Sequence, residues 1–150
     1  MRKNTIIEDF KLNSFISFLT LLEYRIKNYL FVRESKARLS IVKVIFMLVG
    51  IIIRIESQIS YKATLGRRIK LPHKGNGVVI SKYAMIGDDV VIYHQVTLGV
   101  RPSKKERFHI GNNVVISTGS KVISSNVGDR SRLAANSVVY KDVEKNVFYK

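Results

Sequence analysis

The segment Ile86-Gly-Asp-Asp-Val-Val-Ile92-Tyr-His-Gln-Val-Thr-Leu98-Gly99 carries an aliphatic side chain at every sixth residue. The spacing continues on both sides, although it is interrupted in places. The aliphatic positions are Ile59, Leu65, Leu71, Ile80, Ile86, Ile92, Leu98, Ile110, Ile116, Val122, Val127, Leu133 and Val139. Small or β-branched residues follow four positions later, at Ala63, Ala84, Val90, Val96, Val114, Ser120, Ser131, Ser137 and Val143.

A sustained period of six predicts a parallel β-helix. An α-helix repeats every 3.6 residues and a half-buried strand every two, so neither explains the pattern. In a β-helix each hexapeptide supplies a short strand and a corner, and its aliphatic residue stacks on that of the next coil. Glycine follows the aliphatic at 66, 87, 99, 111 and 128, which we attribute to corner backbone angles. An antiparallel sandwich, the alternative, predicts a period of two.

Three irregularities interrupt the repeat. Nine residues rather than six lead from Leu71 to Ile80, and twelve lead from Leu98 to Ile110. The second insertion is basic and lacks an internal aliphatic residue, so it is predicted to be a loop that projects from a corner. The step from Val122 to Val127 is one residue short and predicts a tightened corner. Loops on a rigid scaffold are the usual place for a functional site.

Residues 1–56 follow a helical pattern, and residues 57–150 form the predicted β-helix. One helix is predicted from an apolar stripe with Asn13 or Ser14 as its N-cap. A second helix is predicted from about Lys36 to Ile55, apolar nearly all round. These helices either cap the open end of the β-helix or meet a partner subunit, or else 44–53 lies in a membrane interface. The stripe comprises Phe15, Phe18, Leu19, Leu22, Ile26, Tyr29 and Leu30.

Composition narrows the class of protein. The chain has 26 basic and 11 acidic residues, a net charge of +15, which predicts attraction to polyanions. No nucleic-acid-binding motif accompanies the charge, so no nucleic-acid partner is expected. The absence of cysteine excludes disulfides and thiolate metal sites. No signal-peptide pattern opens the sequence and its apolar run is too short to span a bilayer, so we expect a cytoplasmic protein, with peripheral contact at the inner membrane face left open.

From about Ile59 to Val143 the sequence resembles the serine acetyltransferases of the hexapeptide-repeat superfamily, in particular the branch found with polysaccharide biosynthesis. The carrying segments are Leu71-Pro-His-Lys-Gly-Asn-Gly-Val-Val-Ile80, Ile86 to Gly99 as quoted above, Ile110-Gly-Asn-Asn-Val-Val-Ile116 and Leu133-Ala-Ala-Asn-Ser-Val-Val-Tyr-Lys-Asp-Val143. The resemblance implies left-handed coils, a homotrimer with active sites between neighbouring subunits, and acetyl-CoA as co-substrate. It implies O-acetyl transfer to a hydroxyl of serine or of a sugar or polysaccharide precursor.

His73 falls where the family places its catalytic histidine, and we expect it to act as general base. A neutral imidazole, with an ordinary pKa of about 6.5, suits proton abstraction near neutral pH. The chain departs from the family at three supporting positions. Gln58 stands where a carboxylate orients the base, Pro72 replaces an acidic residue before it, and Arg107 aligns with a second histidine, with His109 two residues later.

His94 lies 21 residues after His73, close to one coil plus the inserted residues, so it is predicted to stack near His73 in the same groove. Alternatively it lies on an outward-facing polar strand. By resemblance, the acetyl-CoA path is lined by Gly99, Thr118, Ala135 and Lys141. Further attraction for phosphate could come from Lys104, Lys105 and Arg107.

Two other functions stay open at this point. A γ-class carbonic anhydrase holds zinc with three histidines, and the chain has three, at 73, 94 and 109, but without that family's closely spaced final pair. A catalytically worn acetyltransferase-like scaffold would account for the missing carboxylate. The acetyltransferase is the preferred hypothesis, and it requires no metal.

Overall fold

The computed structural model describes residues 3–103 and 105–150. Three helices come first: α1 (Lys3–Leu12), α2 (Phe15–Val32) and α3 (Lys36–Ile53). A short 3₁₀ turn spans His73–Gly75. The strands are β1 (Gln58–Ile59), β2 (Thr64–Leu65), β3 (Val79–Ile80), β4 (Ala84–Ile86), β5 (Val91–Ile92), β6 (Thr97–Gly99), β7 (Phe108–Ile110), β8 (Val115–Ile116), β9 (Lys121–Ile123), β10 (Arg132–Leu133), β11 (Val138–Val139) and β12 (Phe148–Tyr149).

The strands form three parallel sheets that make the sides of a prism. Their orders are β1-β3-β6-β9-β11, β2-β4-β7 and β12-β10-β8-β5. The register places aliphatic on aliphatic: Ile80 pairs with Leu98 and Leu98 with Val122. The predicted left-handed parallel β-helix of hexapeptide repeats, with an N-terminal helical segment, is confirmed.

The core of the prism is the predicted set of side chains. Every six-step aliphatic residue is buried except Ile59, which is half-buried, and all the small residues four positions later are buried. Burying one large aliphatic side chain contributes about 1.5–3 kcal/mol, so the repeat itself accounts for most of the packing energy. Four further side chains among the described residues of the prism are buried and were not predicted, namely Ile69, Val78, Phe108 and Ser125.

The explanation offered for the corner glycines is wrong for all five, because none of them has left-handed backbone angles. A Cβ atom at Gly66, Gly87, Gly111 or Gly128 would overlap atoms of the next coil. Close stacking of the coils, rather than backbone conformation, therefore requires glycine there. Left-handed angles occur at corners on non-glycine residues such as Asp89.

The helical segment differs in part from the prediction. Ser14, one of the two predicted candidates, is the N-cap of α2. Helix α3 ends at Ile53, whereas the sequence predicted an end near residue 55. Helix α1 was not predicted. The apolar stripe is not the face that α2 buries most deeply, since Phe15 is 67% exposed. The buried residues are Ser17, Thr20, Leu21, Tyr24 and Arg25.

This buried face is polar because it covers the open edge of the first coil. An uncovered strand edge leaves backbone donors and acceptors without partners. The Tyr24 hydroxyl donates to the Ala63 carbonyl and accepts from the Leu65 N–H, each at 3.0 Å. Arg25 donates to the Leu65 carbonyl at 2.9 Å and the Gly66 carbonyl at 2.6 Å. Helix α2 thus caps the β-helix with side-chain hydrogen bonds.

Helix α3 packs against α2 but buries only Leu39. Within residues 3–103 and 105–150, no helix has both the length and the apolar character needed to cross a membrane.

Replacing Tyr24 with phenylalanine should destabilise the protein by about 1–3 kcal/mol, because it leaves the buried Leu65 N–H unpaired, while the Ala63 carbonyl keeps its hydrogen bond from Asn28. Urea unfolding followed by circular dichroism measures the effect. Tyr140→Phe is the matched control, since Tyr140 is 56% exposed. Equal unfolding free energies for the two variants would show that the Tyr24 hydroxyl has no capping role.

Ion pairs join the first two coils at one corner. The Arg67 N–H donates to Asp88 at 2.7 Å, and this hydrogen bond is the main cause of the lowered pKa of Asp88. The Arg68 guanidinium donates to Asp89 at 2.6 Å and lowers the pKa of Asp89. A carboxyl group whose pKa is lowered by folding contributes stability above its unfolded pKa, and that contribution is lost as the pH falls through the folded pKa.

The double variant Asp88→Asn/Asp89→Asn should therefore be less stable than the parent chain at pH 7, by less than about 1 kcal/mol per exposed pair. The difference should shrink as the pH falls below about 4, where the parent carboxylates take up protons. Unfolding midpoints measured between neutral and acidic pH test this. A difference that stays constant with pH would contradict it.

Candidate active site

Four predicted site residues share one corner of the prism. This corner follows the sheet containing β5, β8 and β10 and precedes the sheet containing β3, β6, β9 and β11. Backbone hydrogen bonds of 2.8–3.1 Å tie its successive levels together: from Gln95 to Asn76, from Gly119 to His94 and from Asn136 to Thr118. The four residues, in order along the column, are His73, His94, Thr118 and Ala135.

The His73 loop has an unusual backbone. Three consecutive residues are in the left-handed region, with φ of +54° at His73, +63° at Lys74 and +66° at Gly75. The conformation costs a residue other than glycine about 1–2 kcal/mol, so His73 and Lys74 are both strained. Strain of this kind persists only where the surroundings enforce it, and it is concentrated at functional sites.

Helix α2 and the first coil enforce this conformation. Before the loop, the Leu71 N–H donates to the Asn13 side-chain oxygen and the Ser17 hydroxyl donates to the Leu71 carbonyl, both at 2.7 Å. After His73, the Ser57 hydroxyl donates to the Gly75 carbonyl at 2.7 Å. The exposed His73 imidazole is therefore carried on a backbone fixed on both sides.

The hydrogen bonds of half-buried His94 fix its tautomer. The Thr118 hydroxyl lies 2.8 Å from His94 Nε2 and 3.2 Å from the His94 carbonyl. A carbonyl can only accept, so both contacts are hydrogen bonds only if the hydroxyl donates to the carbonyl and accepts from Nε2–H. The other ring nitrogen, Nδ1, is then an unprotonated acceptor. It is buried and has no hydrogen-bond partner among the described residues.

The two imidazoles are adjacent. The ring centroids of His73 and His94 are 4.9 Å apart, and the ring planes are inclined at 78°. The Tyr93 ring lies 6.1 Å from that of His73. This corner thus holds one accessible imidazole beside a second imidazole whose orientation is fixed by Thr118.

Arg107 and His109 are not brought to this corner within one chain. His109 is on β7, where it pairs with Met85, and both His109 and Arg107 are exposed. The sheet β2-β4-β7 forms the side of the prism opposite the His73 corner. The three histidines of the carbonic anhydrase alternative therefore do not converge within one chain. Across the described ranges, no three His, Asp or Glu side chains are grouped as metal ligands would be.

Gln58, at the family's carboxylate position, is on β1. It lines a cavity of about 440 Å³ between α2 and the first coil, together with Glu23 and Tyr24. Glu23 forms an ion pair with Lys27. The structure thus places an amide, rather than a carboxylate, at this position.

The other residues expected along the acetyl-CoA path lie on the sheet β1-β3-β6-β9-β11, at the edge away from the His73 corner. Gly99 ends β6, and Lys141 follows β11 by two residues. A Cβ atom added to Gly99 would make only ordinary contacts, 3.5 Å from Ile123 and 3.7 Å from Thr97, so packing within the chain does not require glycine there. Ala135, Lys141 and Lys105 are exposed, and Lys104 lies outside the described residues.

Sequence reasoning missed the two residues that hold the start of the His73 loop, Asn13 just before α2 and Ser17 on α2. A signal was present, because polar side chains recur at three- and four-residue spacing along one helix face. Their positions are Asn13, Ser17, Thr20, Tyr24 and Asn28.

Comparison with known proteins gives a consistent result, although no family model matches the chain. It is 46% identical over 84 residues to a serine acetyltransferase of Helicobacter pylori, covering 54% of this chain and 48% of the relative. A serine acetyltransferase of Mycobacterium tuberculosis is 43% identical over 84 residues, covering 54% and 36%. The chain spans about half the length, or less, of these curated relatives.

Solved structures share the fold. Entamoeba histolytica serine acetyltransferase 1, in complex with L-cysteine, superposes with a TM-score of 0.80 at 23% identity, covering 99% of this chain and 63% of that chain. The serine acetyltransferase of Brucella abortus gives 0.74 at 28% identity, covering 89% and 53%. The predicted resemblance is confirmed: this chain is similar in sequence and in fold to the serine acetyltransferases of the hexapeptide-repeat superfamily.

Proposed function

We propose that the protein is an O-acetyltransferase that moves acetyl from acetyl-CoA to a hydroxyl, with His73 as general base. The observation that carries the proposal is the pair of imidazoles at one corner, one accessible and the other fixed with an unpaired acceptor. A base of this kind must reach the hydroxyl proton in an open groove, and His73 is exposed there.

The reaction assigns His73 two proton transfers. It takes the proton of the acceptor hydroxyl while the oxygen bonds to the thioester carbonyl carbon. The carbon–sulfur bond then breaks, and the proton on His73 passes to the leaving sulfur. The products are an O-acetyl ester and free CoA thiol, and the imidazole returns to its neutral form.

His94 takes over the role of the missing orienting carboxylate in this proposal. Its Nδ1 is a buried acceptor, and the nearby ring of His73 carries an N–H that can donate to it. Apo active sites often hold such hydrogen bonds at long distance and shorten them when substrate binds. Thr118 occupies Nε2 of His94, so Nδ1 is the ring nitrogen left to accept from His73. His94 is therefore a positioning residue.

Acetyl-CoA would lie along the sheet β1-β3-β6-β9-β11, with predicted residues at both of its edges. Thr118 and Ala135 are at the His73 edge of that sheet, and Gly99 and Lys141 are at the other edge. The lack of a side chain at half-buried Gly99 fits a narrow arm passing close to the backbone, and an exposed lysine fits the phosphates. No metal is required at any step.

We also propose a homotrimer. Arg107 and His109 lie on the side of the prism opposite His73. They can contribute to an active site only from a neighbouring chain, which agrees with active sites between subunits. The acceptor is serine or a sugar or polysaccharide-precursor hydroxyl, and the protein acts in the cytoplasm, with peripheral contact at the inner membrane face.

Replacing His73 with asparagine should lower the acetyl-transfer rate by about 10²–10⁴-fold, the usual contribution of a general base. Asparagine tolerates the left-handed backbone, so the variant removes the imidazole and keeps the loop. The assay follows free thiol release from acetyl-CoA in the presence of serine or sugar acceptors. Lys74→Asn is the control, because Lys74 has the same backbone conformation and the same new side chain one residue away.

Equal rates for the parent chain and His73→Asn would exclude His73 as the base. If the parent chain released no acceptor-dependent thiol with any hydroxyl tested, the result would favour a non-catalytic scaffold.

Replacing His94 with alanine should lower kcat by about 10–100-fold, as the loss of an orienting partner does. His94→Asn retains an acceptor near the position of Nδ1 and should restore part of the rate. A fall in rate without rescue by asparagine would mean that His94 only supports the fold.

A further inference from the structure

Helix α3 exposes far more apolar surface than a helix packed into a protein does. Seven of its large apolar side chains are 51–79% exposed, and only Leu39 is buried. Single exposed apolar residues are common, but a contiguous patch of this kind marks an interaction site. The seven are Ile41, Val44, Ile45, Met47, Leu48, Ile51 and Ile52.

These side chains form one continuous face. At 100° per residue they spread over about 160° of the helix circumference, and the opposite side carries the contacts with α2. Basic residues flank this face on both sides. Lys36 and Lys43 fall within about 40° of one edge, and Arg38 falls about 20° beyond the other. Arg54 follows the C-terminal end, and α3 contains no acidic residue.

We propose that this apolar face of α3 lies in the surface of a membrane that contains anionic phospholipids. An apolar arc bordered by lysine and arginine is the pattern of a helix that lies in the plane of the interface, with its cationic groups at the lipid phosphates. At 18 residues the helix rests on the bilayer and does not cross it. Tethering would hold the catalytic prism at the membrane.

The charges favour a lipid surface over a second copy of the chain. A two-fold contact through this face would bring its basic borders together without a compensating acid. Any other face of a second copy offers few anions, because the chain has 26 basic and 11 acidic residues. Among the described residues, ion pairs within the chain already involve Glu8, Asp9, Glu23, Asp88 and Asp89.

Insertion can be measured directly with one tryptophan, because the chain has none. In Ile51→Trp the emission should shift to shorter wavelength when vesicles of phosphatidylcholine and phosphatidylglycerol are added. It should not shift with phosphatidylcholine vesicles alone. Phe148→Trp is the matched control, since Phe148 is 60% exposed at the other end of the β-helix. Its emission should not change.

The charged borders are tested by two triple variants that lose the same net charge. Lys36→Gln/Arg38→Gln/Lys43→Gln should co-sediment with anionic vesicles at least about tenfold more weakly than the parent chain, because each basic residue near the surface contributes to attraction. The control removes Lys82, Lys145 and Lys150, all exposed on the β-helix, by the same change to glutamine. Binding of the parent chain should weaken between about 0.1 M and 1 M salt.

Three results would overturn the proposal. The first is an unshifted Ile51→Trp emission with anionic vesicles, and the second is equal vesicle binding by the two triple variants. The third is a drop in oligomeric mass by light scattering for Leu48→Glu/Ile51→Glu that retains its circular dichroism spectrum. That outcome would place the apolar face of α3 between subunits. None of these measurements depends on acetyl transfer.

Discussion

The open edge of the first coil is the constraint on which the rest of the structure depends. A β-helix satisfies its backbone by stacking coil on coil, so the first coil has donors and acceptors that no preceding coil can pair. In this chain α2 supplies the partners through side chains such as Tyr24 and Arg25. The helix face against the prism is consequently polar, and its position is set by hydrogen-bond geometry.

The same contacts set the candidate site. Ser17 is one turn from Thr20 on that face, and its hydroxyl holds the Leu71 carbonyl two residues before His73. A loop with left-handed angles at His73 and Lys74 would relax if its ends were free. Helix α2 therefore both caps the β-helix and holds the His73 loop in its strained conformation.

The sequence predicted the prism well because its period is a local property. Inward residues recur every six positions and stack in register, so burial of Leu98 or Ile116 follows from spacing alone. The proximity of His94 to His73 also follows from counting coils. The hydrogen bond between His94 and Thr118 depends on how the loop between Leu98 and Ile110 returns to the prism. The length of that loop in the sequence does not determine the distance between the two side chains. The polar face of α2 was missed because apolar periodicity was taken as the sign of burial.

Helices α2 and α3 invert the usual relation between polarity and burial. Helix α2 turns polar groups toward the protein because the coil edge presents backbone amides and carbonyls to it. Helix α3 leaves apolar side chains exposed because it packs against α2 along one side. Exposed aliphatic surface of that extent is costly in water, whereas a solvated basic border has no such cost. The proposed phospholipid surface matches both features of α3, because its interior is apolar and its headgroups are anionic.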